Sequence, residues 1–281
     1  MVRRVALVTD STSLDPDLAE AVDAVVVPLQ VIVGAKPYDE GSGANPETVA
    51  AALKNWSPVS TSRPAPEAFV RAYQEAVRNG AEAVLSVHLS GELSGTCESA
   101  ELAARTVSVP VRVVDSRQIG MGTGFAVQSA ADALDAGASV DEAAEAARRR
   151  AAGTTALFYV DTLEFLRRGG RVGAAAALVG SALAVKPLLT VNDGRIVPLE
   201  KVRTSSRALH RLEELAVAAA GDDTVDIAVS HLANLAGAEA LAERLRGKVP
   251  KLSDLVVNQV GAVIGAHVGP GMLAVVVSPH L

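Results

Sequence analysis

The chain has 281 residues and a formal net charge of −6, from 26 Lys and Arg against 32 Asp and Glu, with only 3% aromatic residues. Such a chain offers neither the basic footprint nor the stacking surface of a nucleic-acid binder. Hydrophobic residues make up 49% and mean hydropathy is +0.27, but the longest mostly apolar run, residues 172–185, falls short of the roughly 18 residues a membrane crossing needs and reads as a buried helix. The single cysteine, Cys97, cannot form an internal disulfide. The basic start is interrupted by Asp10 before a signal-peptide core is complete, so a cytoplasmic location is expected.

Residues 5–8 are a β-rich apolar run, followed by a polar loop at 9–13 and a helix opened by Asp15-Pro16 and running through 24. Residues 25–33 form a second strand-like run, and Asn45-Pro46 starts a short helix. Residues 59–66, with Ser60, Thr61 and Ser62, read as a loop that ends on a helix N-terminus, because Pro66 suits a first helical turn and Phe69, Tyr73, Ala76 and Val77 continue as an apolar stripe. A strand at 83–87, the segment 88–96, a helix through 105, a strand at 111–114 and a helix over 124–136 complete the pattern. Repeated strand, loop, helix units predict a parallel sheet with its polar loops gathered at the carboxyl edge.

Ser139 and Glu142 predict a capping box for the helix that ends before Gly153, on a domain the sequence leaves open. Beyond it come a strand at 157–160, a short helix capped by Thr162 and stopped by Gly169-Gly170, and an Ala-rich helix over 174–185. A hairpin follows, with strands at 188–191 and 196–202, turned at Asp193-Gly194. A helix over 207–220, a strand at 225–230, a helix over 236–245 and strands near Leu255 and Leu273 close the chain. The fold class expected is α/β: an N-terminal parallel-sheet α/β domain over residues 1–138, then a smaller α+β domain over 139–281.

Familiar reaction centres are mostly excluded. Gly91-Glu92-Leu93-Ser94-Gly95 misplaces the first glycine of a nucleophile elbow. The first strand is followed by no glycine-rich dinucleotide fingerprint, and no Walker motif is present. His88, His210, His231, His267 and His280 show no paired ligand spacing, so no metal site is expected. What remains is a binding architecture: Thr61 and Ser62 before one helix, and Ser94, Gly95 and Thr96 before another, could hold a small anion with hydroxyls and free N–H groups. Ordinary capping is the alternative for each. His267, in a glycine-rich segment read as a loop, could donate to the same anion. A rival reading is a small serine-dependent hydrolase or transferase using Ser94 and His267.

The motifs Thr9-Asp10-Ser11, residues 59–64, residues 89–96, residues 163–173, Lys186-Pro187-Leu188, Lys201-Val202-Arg203 and Gly269-Pro270-Gly271 occur together and in this order. In that combination the whole chain resembles DegV-family proteins. The resemblance implies a two-domain, non-catalytic, cofactor-free protein that binds a long-chain fatty acid, as the fatty-acid-binding subunit of a bacterial fatty acid kinase does. A separate dihydroxyacetone-kinase-like subunit would then phosphorylate the carboxylate to an acyl phosphate for phospholipid synthesis. Carried over by motif, Thr61, Ser62 and Ser94, with Gly95 and Thr96, should meet the carboxylate with His267 in support, and the tail should run between the domains. Arg171 and Arg203 would lie on the face seen by the kinase, with solvated surface or an internal ion pair as their alternative. Transient membrane contact is compatible with such a role. Residues 174–185 and 256–264 supply small and branched walls for an acyl chain, and the segment 38–43 reads as a variable loop.

Overall fold

The structure, a computed structural model, describes residues 3–178 and 186–281. By contacts the chain groups into two compact units. The first draws on Met1–Gln30 and Ser62–Gly153 together with Leu281, the second on Val31–Thr61 and Thr154–His280. The helix Val140–Gly153 therefore belongs to the first unit.

In the first unit four parallel strands run in the order Ala24–Val27, Val5–Asp10, Ala83–His88, Val111–Asp115. All six residues of Ala83–His88 are buried. Because successive side chains point to opposite faces, both faces of this strand are covered, which is why it reads as a continuous apolar run. The helix Pro66–Arg78 turns Phe69, Tyr73 and Ala76 onto Val8, Val27 and Val84. The capping box forms as expected, with Ser139 N donating to Glu142 Oε2 at 2.8 Å and Glu142 N to Ser139 Oγ at 3.3 Å. From the paired strands Val5–Asp10 and Ala83–His88 the sheet continues in opposite directions, a switch point of the kind at which α/β sheets gather polar groups.

The second unit holds a six-stranded sheet in the order Arg195–Val202, Lys186–Asn192, Thr155–Tyr159, Leu273–Pro279, Val225–His231, Leu252–Gln259. Only the last two pair in parallel; the others are antiparallel. Helices Ser205–Ala220 and Leu235–Lys248 cover it through Leu212, Ala216, Leu241 and Leu245, packed on Leu188, Ile227 and Val275. The expected hairpin turn is present, with Asp193 at φ 53° and Gly194 at φ 80°, the pair of positive angles a two-residue turn of this kind needs.

Several boundaries differ from expectation. The helix Pro16–Ala21 ends before residue 24, which begins a strand. The run 25–33 is two strands, Ala24–Val27 and Gln30–Val33, parted at Pro28, which has no N–H to give a ladder. The segment read as a variable loop at 38–43 overlaps the strand Lys36–Glu40, which supplies its first three residues. Residues Val59–Ser62 are not a loop but a strand beside Gln30–Val33 in a small sheet. In the Ala-rich stretch, Gly173–Leu178 winds as a 3₁₀ helix rather than an α-helix, and the rest of that expected helix and wall, 179–185, lies outside the described residues. No helix among the described residues is long and apolar enough to cross a membrane.

Candidate functional site

At the carboxyl edge of the parallel sheet, Asp10 and His88 end adjacent strands and are fully buried. Asp10 Oδ2 accepts from Leu89 N at 3.0 Å and lies 3.1 Å from His88 Nδ1, while Asp10 Oδ1 accepts from Thr12 N and Oγ1 at 3.1 and 2.6 Å. Beyond the ring, His88 Nε2 is 2.6 Å from Ser86 Oγ, to which the Tyr73 hydroxyl donates at 2.8 Å. Burial pushes the Asp10 carboxyl up, but the bonds from His88, Thr12 and Leu89 outweigh it and hold its pKa below the ordinary value. This relay fastens the start of the 89–96 segment, and no spacing rule links Asp10 to His88 in the sequence.

That segment leads into the helix Thr96–Ala104. Neither Ser94 nor Thr96 caps it: Gly95 is the N-cap residue and the cap has no side-chain bond, while the two hydroxyls lie 2.8 Å from each other. The helix Pro66–Arg78 likewise starts at Ala65 with no side-chain cap. Within the first unit Arg63 ties the two helix starts together, its Nη1 donating to Gly95 O at 3.3 Å and pairing with Glu98. Arg63 had no role in the reading of the sequence.

In the second unit, Thr61 and His267 meet. Thr61 Oγ1 is 2.8 Å from His267 Nε2, across 206 residues of sequence. Strand geometry explains why Thr61 does this and Ser62 does not: neighbouring residues on Val59–Ser62 point to opposite sides, and Ser62 Oγ donates to Arg63 O at 3.2 Å. His267 stands not in a loop but in the last turn of the helix Ala262–Val268, which Gly261 and Gly269 bound. The N-terminal end of that helix is held by the Glu40 carboxylate, which accepts from Val263 N at 2.7 Å, so the 31–61 segment grips this helix at one end and meets His267 at the other.

A helix C-terminus favours a charged histidine. Here burial, assisted by the charge of Arg171, overrides that preference and pushes the His267 pKa down to about 4, so the ring is neutral at neutral pH. Its other nitrogen, Nδ1, is buried and has no hydrogen-bond partner among the described residues. Arg171 is half-buried, and its Nη1 donates to Gly169 O at 2.6 Å, beside the histidine. Arg203 follows the strand Arg195–Val202 and is exposed. Residues 262–264 of the expected apolar wall are buried, whereas 256–259 are half-buried. Among the described residues no three His, Cys, Asp or Glu side chains gather as a metal site.

Comparison with known proteins agrees with this architecture. Residues 4–280 match the model of the family described as "Uncharacterised protein, DegV family". A DegV domain-containing protein of Streptomyces coelicolor is 56% identical over 279 residues, covering 99% of each chain. Among solved structures, a DegV family protein from Thermus thermophilus, described as binding fatty acid, superposes with a TM-score of 0.91 at 34% identity, covering 99% of this chain and 100% of its own. DegV from Bacillus subtilis, described as a fatty acid binding protein, gives 0.90 at 32% identity, with coverages of 99% and 100%. A family match over nearly the whole length, joined to a fold shared with solved members, has one meaning: the chain belongs to the DegV family.

Proposed function

We propose that this protein binds a long-chain fatty acid and presents its carboxylate to a partner kinase for acyl-phosphate formation. The observation that carries the binding part is the bond between Thr61 and a neutral, largely enclosed His267. A hydroxyl backed by an uncharged ring is suited to donate to an acid head group without adding an unpaired buried cation. The fatty acids bound by the solved relatives support the same ligand class. An enclosed tail contributes about 0.8 kcal/mol per methylene, so affinity would come mainly from the chain and orientation from the head group. Ser62, Ser94, Gly95 and Thr96 are further contacts in this reading, and Arg171 and Arg203 belong to the face offered to the kinase. The serine-hydrolase reading draws no support from the bonds observed, since Ser94 pairs with Thr96 and His267 with Thr61.

Mass spectrometry of gently purified protein should find a co-purifying fatty acid; an empty protein with esterase turnover overturns the reading. Thr61→Val nearly keeps the volume and removes the donor, and should weaken fatty acid binding by about 1–3 kcal/mol, the scale of a lost bond to a charged group. Unchanged affinity would place the carboxylate elsewhere. Arg203→Ala should slow phosphorylation by the partner kinase while leaving fatty acid affinity intact; equal loss of both would move Arg203 into the ligand site.

A further inference from the structure

The helix Glu164–Arg168 ends at Gly169, whose backbone angles, φ −74° and ψ −5°, suit any residue. Conformation therefore does not require glycine here; proximity does. A Cβ built on Gly169 would lie 2.0 Å from His267 Nδ1, 2.6 Å from Cε1 and 3.3 Å from Cγ. Distances in that order put the position close to the ring plane, outside Nδ1, and tilted toward Cε1 from the direction in which an Nδ1–H bond would point. One Cα hydrogen of Gly169 points to this same place.

Two neutral tautomers are open to His267. With the proton on Nδ1, a buried N–H would have no acceptor among the described residues and would press against the glycine Cα–H. With the proton on Nε2, the Nδ1 lone pair faces a weak Cα–H donor and the Nε2–H meets Thr61 Oγ1 at 2.8 Å. We infer that Gly169 is a positioning residue: its bare Cα sets the His267 tautomer, so that Nε2–H donates to Thr61 Oγ1 and leaves the Thr61 hydroxyl proton to be donated to an acceptor group on the ligand. The last step rests on the fatty acid reading given above; the tautomer does not.

The test begins with nitrogen NMR of the ¹⁵N-histidine-labelled, delipidated protein at neutral pH, with His267 assigned by comparison with His267→Gln. Nδ1 should carry the signature of an unprotonated ring nitrogen and Nε2 that of a protonated one; the reverse pattern overturns the inference without any variant having to fold. In Gly169→Ala the added methyl displaces the ring, so this signature should shift and binding of a fluorescent fatty acid should weaken about tenfold. Gly170→Ala is the control: Gly170 has φ 71° and nothing within 4 Å of an added Cβ, so it adds backbone strain without touching the histidine. It should leave the His267 signals in place. Unchanged His267 signals in Gly169→Ala overturn the positioning role. The expected tautomer in a protein that binds no fatty acid would leave Gly169 its role and remove the proposed function instead.

Discussion

Asp10→Ala should cost about 3–5 kcal/mol of stability, because it leaves several buried donors without their acceptor at about 1–3 kcal/mol each. Asp10 and His88 are both fully buried, and the carboxylate takes bonds from Thr12, Leu89 and the His88 ring. Without it, the imidazole loses its acceptor while still held by Ser86 and by the edge of Phe69, whose ring centroid is 5.1 Å away. A urea titration followed by circular dichroism measures the effect, and a loss under 1 kcal/mol would mean the relay carries little of the fold. The group also has a pH signature. Its folded pKa is lowered from 3.8, so the unfolded chain takes up a proton first as pH falls. The stabilisation is present in full above about pH 4 and is lost as pH drops through the folded value, so Asp10→Asn should flatten the stability profile in that acid window.

Gly269→Ala should also be severe. Gly269 sits at φ 75° and ψ 167°, a region closed to other residues, and a Cβ there would lie 2.1 Å from Phe165 Cδ2. Strain of 1–3 kcal/mol and a comparable overpacking cost give a loss of about 3–5 kcal/mol. Because Gly269 ends the helix that carries His267 and packs on the helix that leads into Gly169, fatty acid retention should fall together with the melting temperature. Gly34→Ala is the matched comparison, since Gly34 has φ 65° and open space around it, so only the strain part applies. Equal melting shifts for the two variants would show that contact with Phe165 contributes nothing.

Elements governed by neighbouring residues were legible in the sequence. Asp193-Gly194 specifies its turn through positive φ angles, Ser139 and Glu142 specify their cap at a spacing of three, and Phe69, Tyr73 and Ala76 specify a buried stripe by helical period. Segments with mixed signals were misread. Residues 59–62 carry three hydroxyls and resemble a loop, but they pair as a strand because a partner, Gln30–Val33, is available. His267 lies among glycines that suggest a loop, yet those at 261 and 269 bound a short helix that tertiary packing and the Glu40 carboxylate hold in place.

By itself the sequence determined the class of fold, the parallel first sheet, the hairpin and the Ser139–Glu142 cap, though not a cap by Thr162, whose helix starts from Leu163 with no side-chain cap, and through its ordered motifs the family. These follow from periodicity and local chemistry, which act over a few residues. Tertiary structure alone decided that Thr61 bonds directly to His267, which the motifs had set only at a common ligand, that Asp10 meets His88, that Arg63 reaches the start of the next helix, and that Gly169 lies against an imidazole. Each of these joins residues tens to hundreds of positions apart. Hydrogen bonds and close contacts at such separations leave no period in the chain, because their partners are chosen by how the strands and helices pack.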